Sequence, residues 1–299
     1  MNIPAGILFG FVALFGWGLA DFFAKPLIDS IGSYKAFFWM QLLSMIPFCI
    51  LYFSLDGRFA FPLKDYGFFI LISIFGVIGY YLFYESISMS SISLMSPIQS
   101  SNFVVGILLA LVFLGEHLTI YQGVAIIAIF IGVSLTGLNF KNLIRFRKIN
   151  LLPGVGINLV SAVCIGTHFL FLGLMVPKYG WLVPVFFFRV INVLFLLGFT
   201  AVSGKEITIK KQKSLTLKTW HLNWLFSIII ACDIAAILGF SVGITSQYVS
   251  IILPIAMSFP LLTVLLARIF YKEQLEALQI VGILILIAGI SALSYFSSV

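Results

Sequence analysis

The chain is a succession of apolar runs with almost nothing between them. Candidate runs lie near Ile3–Ala24, Tyr34–Leu55, Tyr66–Ser88, Ser91–Leu114 and Thr119–Leu138, then near Leu152–Met175, Trp181–Ser203, Leu222–Gly243, Val249–Ala267 and Ala277–Tyr295. Each approaches the roughly 20 residues that a helix needs to cross a hydrocarbon core. Connections such as Gly115-Glu116-His117 and Ser246-Gln247-Tyr248 allow only a tight reversal. The longest polar stretch, Gly204–Trp220, carries Lys205, Lys210, Lys211, Lys213 and Lys218. No sizeable extramembrane domain fits, so the chain acts within the bilayer. Charged residues are only 9% of the total, against about a quarter in a soluble domain. With 32 Phe, 11 Tyr and 5 Trp, the composition is equally unlike a disordered chain. The first basic residue, Lys25, follows the first run, so that run reads as a retained helix rather than a secretory signal.

The chain also resembles itself. Laying Phe83–Ser134 over Phe240–Ser291, a shift of 157, makes about 17 of 52 positions identical. The matches include Ser93/Ser250, Pro97/Pro254, Ser101/Ser258, Glu116/Glu273, Gln122/Gln279 and Gly132/Gly289. Shared hydrophobicity does not account for coincident Pro, Glu, Gln and Gly. A shift of 148 brings Gly18 onto Gly166 and Phe38-Trp39 onto Phe186-Phe187. The repeat therefore holds five runs, and an odd number forces the second copy to cross the membrane the opposite way. The expected fold is an all-α membrane protein of ten transmembrane helices, arranged as two inverted five-helix repeats over residues 1–140 and 151–299. Inverted repeats are the architecture of secondary transporters, with the substrate site between the halves near midplane.

The basic residues give an orientation. On the side of the N-terminus (side A) only Arg58, Lys64 and Lys178 lie in loops or span ends; thirteen of the 17 Lys and Arg lie on the opposite side B, and Arg189 is inside a run. The positive-inside rule makes side B cytoplasmic and puts both termini outside the cell membrane. The net charge of +7 is thus a topology signal, and no nucleic-acid partner is expected. Cys49, Cys164 and Cys232 stand alone in apolar runs without metal-ligand spacing, so neither a disulfide framework nor a zinc site is expected.

The Phe-Leu-Gly-Glu-His-Leu at 113–118, its counterpart Phe-Tyr-Lys-Glu-Gln-Leu at 270–275, the opening Gly16-Trp17-Gly18 and Phe187-Phe188-Arg189 together resemble EamA-type members of the drug/metabolite transporter superfamily. The resemblance spans essentially the whole chain. It implies ten helices, a central cavity between the halves, and export or uptake of amino acids, nucleosides, sugars or other small metabolites. Many relatives keep their termini in the cytoplasm, opposite to the charge count here. The first repeat has Gln41 where the second has Arg189, so a role for that arginine is one-sided.

Charged side chains at bilayer depth cost about 2.5–3.5 kcal/mol on insertion scales, so each needs a partner or a cavity. At about 1.5 Å per residue, Arg189 in the seventh run and Asp233 in the eighth sit roughly 12–18 Å from side A, where an ion pair between them is expected. Such a pair either borders a cavity, binding a zwitterionic or anionic substrate or titrating during transport, or locks two helices together. Asp21 and Glu85 fall near side B, as gate or proton-coupling carboxylates or as interfacial groups paired with Lys25 or water. His168 is either a proton carrier or a packing residue. In the fourth run Ser96, Gln99 and Asn102 surround Pro97, and the ninth repeats the pattern with Ser250, Pro254 and Ser258, plus Pro260. Polar, broken helices of this kind line carrier cavities, though small residues also serve close packing. Trp17, Trp39 and Tyr84 are aromatic walls or bland packing. The substrate-binding candidates are Arg189, Asp233, Ser96, Gln99, Asn102, Trp17, Asp21, His168 and Ser258, with no catalytic residue, metal or cofactor expected. Glu116 and Glu273 are expected to cap the helices that follow them.

Three functions compete. A secondary active or facilitative transporter would act on a small-molecule substrate by alternating access, with proton coupling as an option, as a monomer or homodimer in the lipid bilayer. No Walker motif is present to use ATP directly. A membrane-embedded lipid or prenyl-modifying enzyme would need a carboxylate or metal cluster, and no DxxD, DxxxD or HExxH occurs. A non-transporting receptor would have a closed, packed interior where a transporter has a hydrated cavity.

Overall fold

The computed structural model describes residues 5–55, 57, 59–137, 153–209, 219–271 and 277–296. Glu273 and most of the basic loop residues that set the orientation, including Lys141, Arg145, Lys148, Lys210 and Lys218, lie outside the described residues.

The first half contains α1 (Ala5–Ile31), α2 (Ser33–Leu55), α3 (Leu63–Met89), α4 (Ile92–Ser100), α5 (Asn102–Leu109), a π-helical turn over Ala110–Leu114, and α6 (Ile120–Gly137). The second contains α7 (Val155–Tyr179), α8 (Leu182–Ser203), α9 (Thr219–Ser246), α10 (Val249–Ala256), α11 (Pro260–Tyr271) and α12 (Ala277–Phe296). Eight helical runs are long and apolar enough to cross a bilayer, among them the composite fourth, Met95–Leu114, and ninth, Val249–Phe270. With α6 (18 residues) and α12 (20 residues) they make ten spans. Leu8, Phe15, Phe53, Val112, Val202 and Ile269 point outward, an apolar exterior that suits lipid and not water. The chain is a multi-pass, all-α membrane protein. α1 runs two turns past the expected Ala24 despite Pro26. The added turns carry the Lys25–Asp29 ion pair at 2.8 Å.

Exchanging the halves maps the packing onto itself. α1 packs along α9 as α7 packs along α3, while α2 pairs with α8 and α6 with α12. Small residues at matching positions set these approaches. A Cβ on Gly132 would stand 2.6 Å from the Leu286 nitrogen, and one on its repeat mate Gly289 would stand 3.0 Å from the nitrogen of Ile129, the mate of Leu286. Gly18 against Leu262 and Gly166 against Val105 form a second such couple, at 2.9 and 2.7 Å. α6 and α12 are antiparallel: Gln122 Nε2, at the start of α6, donates to the carbonyl of Phe296 at the end of α12. A two-fold that exchanges antiparallel spans lies in the membrane plane, which makes the repeats inverted.

The fourth and ninth spans break in the same register. Pro97 and Pro254 each lack an N–H for the helical ladder and crowd the preceding turn. The chain tightens into three-residue turns at Ser101, whose N–H donates to Ile98 O, and at Ser258, whose N–H donates to Ile255 O. Pro260 then opens α11, where a missing N–H costs nothing.

Glu116 corrects one expectation. It does cap a helix, but not α6: its Oε1 accepts the Val249 N–H at 2.8 Å and its Oε2 the Ser250 N–H at 2.9 Å, at the start of α10 in the other half. Gly115 supplies the left-handed turn (φ 65°) that directs the carboxylate there. α6 is capped instead by a box, in which Thr119 Oγ1 accepts from the Gln122 N–H and Gln122 Oε1 from the Thr119 N–H, the reciprocal pattern of Thr-x-x-Gln. Glu116 therefore fastens the two halves on side A. Its replacement by Ala leaves two buried N–H groups unpaired and should cost on the order of 2 kcal/mol. The expected readout is a lowered Tm in detergent, with Glu116→Gln intermediate; an unchanged Tm for Glu116→Ala would contradict this role.

Candidate functional site

A cavity lies between the halves where the broken spans face α1, α3, α7 and α9. Gln99 and Asn102 reach it from one break and Met257 and Phe259 from the other. It offers about 60 Å³ to the centres of water molecules, and one water needs about 10–15 Å³, so it holds a handful of waters or a small solute.

Arg189 is the hub of its wall. The residue is 2% exposed, and its side chain donates from Nη1 to Gln41 Oε1 and from Nη2 to Asp233 Oδ2, each at 2.5 Å. Ser44 adds a longer contact of 3.4 Å to the same Asp233 oxygen. Phe48 and Phe188 place their rings against the guanidinium, 5.5 and 5.4 Å from centroid to Cζ. A buried ion pair holds only when geometry and further hydrogen bonds offset desolvation; Gln41 and Ser44 supply such bonds here, while Arg189 Nε stays buried without a partner. Asp233 keeps 20% of its side chain exposed, towards the cavity. Gln41 is the repeat mate of Arg189 under the shift of 148, so this hydrogen bond joins α2 and α8 across the two-fold. At the mate of Asp233, Gly76, a Cβ would stand 2.3 Å from Phe188 Cε2 and 3.0 Å from His168 Nδ1. The scaffold is two-fold; its charges are not.

Six of the nine candidates line the cavity: Trp17, Asp21, Gln99, Asn102, Arg189 and Asp233. Asp21 does not pair with Lys25, which bonds Asp29 and the Ile87 carbonyl instead. Asp21 is 8% exposed and its Oδ2 has no hydrogen-bond partner. Ser96 is fully buried beside it, the side chain placed to donate to the Asp21 carboxylate. Gln99 uses its carbonyl to accept from Ser161 Oγ at 2.8 Å, leaving Nε2 unpartnered, as are Asn102 Oδ1 and Trp17 Nε1.

Two candidates face elsewhere. His168 is turned away between α7 and α3, its Nδ1 at 2.8 Å from the Ile72 carbonyl and its ring 4.6 Å from that of Phe188. Ser258 bends back to donate to the Pro254 carbonyl at 2.8 Å. Both are buried and neither lines the cavity. Glu85 accepts from Ser33 Oγ at the side-B end. Sequence reasoning passed over Gln41, Tyr80 and Phe37 as lining residues; only Gln41 had a signal, as the repeat mate of an intramembrane arginine. Among the described residues no three of His, Cys, Asp and Glu converge as a metal site requires.

The cavity belongs to the side-B half of the molecule. Its lining uses Phe37–Gln41 at the side-B end of α2 and Tyr80–Tyr84 at that of α3. The side-A half is filled by rings: Tyr52 stacks on Phe186 at 3.8 Å and Phe69 on Phe187 at 4.5 Å. At its rim Lys178 pairs with Asp65 at 2.6 Å, and Tyr179 donates to the same carboxylate.

A family model for the EamA-like transporter family matches residues 4–138 and, again, 152–295. No curated protein matches by sequence. A solved structure, a crystal structure of a protein, is similar with a TM-score of 0.72 at 10% identity, covering 99% of this chain and 100% of its own. That likeness carries the fold alone.

The cavity's placement predicts an accessibility pattern. In a background lacking Cys49, Cys164 and Cys232, Ala20→Cys and Met40→Cys should react with a hydrophilic maleimide from the side that labels Ser203→Cys, at the exposed side-B end of α8. Phe69→Cys, in the ring-filled half, should stay protected from both sides. Protection of Ala20→Cys and Met40→Cys would mean a dry, packed interior.

Proposed function

We infer the function from one premise: the chain belongs to the EamA-like transporter family, and is a membrane transporter of the drug/metabolite type. We propose that it moves a small polar solute by alternating access, binding it in the cavity between the halves. The observation that carries this reading is the Arg189–Asp233–Gln41 cluster, a bonded charge network that joins spans of both halves and borders open space. A purely structural lock has no need of a cavity. With side A sealed by stacked rings, the arrangement corresponds to a carrier accessible from side B. The excess of basic residues there supports side B as the cytoplasm and the termini as external. Labelling Ser203→Cys in intact cells against inside-out vesicles decides that orientation.

The transport cycle must open side A, which means parting the Tyr52–Phe186 and Phe69–Phe187 stacks and the Asp65–Lys178 pair while closing side B around α2 and α3. A solute competing for Asp233 or Gln41 loosens the cluster that ties α2, α8 and α9, and so couples occupancy to that motion. Of the groups considered for titrating or carrying a proton, Asp21 and Asp233 line the cavity while His168 and Glu85 do not, and because Asp233 is already paired with Arg189, a proton exchanged for the solute would ride on Asp21.

In proteoliposomes screened against a library of small metabolites, Asp233→Asn should abolish transport, at least a ten-fold loss, with membrane insertion retained. Removing one partner of a buried pair that is only structural costs about 3–5 kcal/mol and would show first as lost Tm. The exchange Arg189→Asp with Asp233→Arg separates the readings further, because a structural lock tolerates it better than a site that sees each charge from one side. Wild-type transport by the exchanged protein would overturn the assignment.

A further inference from the structure

The charges lining the cavity do not balance. Arg189 is the one cation among its lining residues, and both terminal nitrogens are engaged, by Asp233 and by Gln41. Asp21 is a second carboxylate in the same lining, more than nine-tenths buried, with Ser96 beside it, Oδ2 unpartnered and, among the described residues, no lysine, arginine or histidine bonded to it. With ionised carboxylates the lining carries a formal charge of −1, and the uncompensated charge is on Asp21. A buried carboxyl in that position holds a proton while the cavity is empty and releases it in favour of a cation that brings its own hydrogen-bond donors.

The surroundings define which cation. Trp17 precedes Asp21 by four residues and so shares its face of α1, and Phe37, Tyr84 and Phe169 complete an aromatic enclosure. Ring faces attract ammonium groups, most strongly where water is excluded. A metal ion lacks a ligand set, since no three His, Cys, Asp and Glu converge among the described residues. The other unpartnered groups of the lining sort by chemistry: Asn102 Oδ1 accepts, whereas Gln99 Nε2, Trp17 Nε1 and Arg189 Nε donate. We infer that the cavity selects a small organic cation whose protonated amine sits on Asp21 and Asn102, with a neutral hydrogen-bond acceptor or ring edge towards Gln99 and Trp17. A net positive solute neutralises the lining. A zwitterion leaves the −1 in place, and an anion raises it to −2. This assignment rests on the transport reading above and narrows its substrate to one charge class.

The test uses two amino acids, phenylalanine and norvaline, each with its decarboxylated amine (phenethylamine, n-butylamine) and its deaminated acid (3-phenylpropionate, pentanoate). Within each set the skeleton is constant and the charge differs. Binding to the purified protein is read by calorimetry, and movement in proteoliposomes by charge displacement on a supported membrane. The inference predicts at least ten-fold tighter binding of one or both amines than of the matching zwitterion and acid. Asp21→Asn should abolish that preference and Asp21→Glu should keep part of it, with gel filtration and Tm reporting that each variant folds. A zwitterion or acid binding as well as its amine, or a preference that survives in folded Asp21→Asn, overturns the cation class and leaves the transport reading standing. Binding by no member of either set also overturns it, and then maleimide access at Ala20→Cys and Met40→Cys separates a transporter of some other solute from a protein with no transport cavity at all.

Discussion

An arginine buried at bilayer depth must be given partners, and the arrangement of spans around the cavity follows from how Arg189 obtains them. No single helix supplies enough. The carboxylate comes from α9, the amide from α2, and the ring faces from Phe48 on α2 and Phe188 on α8 itself. Meeting that one requirement brings two spans of the second half against one of the first, beside the pseudo-two-fold and at the edge of the polar cavity. Site and scaffold are therefore one constraint: the groups that make the cavity polar are those that keep the halves in register there.

The repeat supplies the frame and withholds symmetry from the chemistry. Gly132 with Gly289, the breaks after Pro97 and Pro254, and the exchange of α1 on α9 for α7 on α3 all obey the two-fold. The ionisable groups do not. Arg189 faces Gln41, and Gly76 stands where the second half has Asp233, its space taken by Phe188 and His168. An arginine at position 41 would set a second guanidinium, with no acceptor, where Arg189 now donates to the Gln41 amide. Divergence of the copies left one cation, two carboxylates and a set of unpartnered amide and indole groups, an inventory that favours a ligand of one charge over another.

Much of this was legible before any coordinates, because in a bilayer the backbone must satisfy itself and length and apolarity then suffice to mark spans. The inverted repeat was equally plain from matched Pro, Glu and Gly. The Arg189–Asp233 pair was accessible from depth alone, since lipid leaves intramembrane charges few alternatives. What the sequence did not reveal was direction. Gln99 and Ser258 look alike as polar residues near a proline, yet one points into the cavity and the other back to its own helix. His168 could be read as a proton carrier or as a packing residue, and only its neighbours show it packed against Phe188 and bonded to the Ile72 carbonyl. Glu116 was recognisable as a cap, but the helix it caps lies in the other half of the chain, brought there by the left-handed turn at Gly115. Each of these depends on tertiary neighbours that local pattern does not encode.

Alternating access makes the ring-filled side-A half one position of a moving seal rather than a permanent core. Spin labels at Leu55, the end of α2, and Pro177, near the end of α7, sit on opposite halves at that face, and pulsed dipolar spectroscopy in nanodiscs reads the distance between them. A moving seal gives a short distance for the sealed face together with a second, longer population, which Phe187→Ala enlarges by removing one side of the stack with Phe69. A single short distance, unchanged by Phe187→Ala in a protein that remains folded, would contradict it.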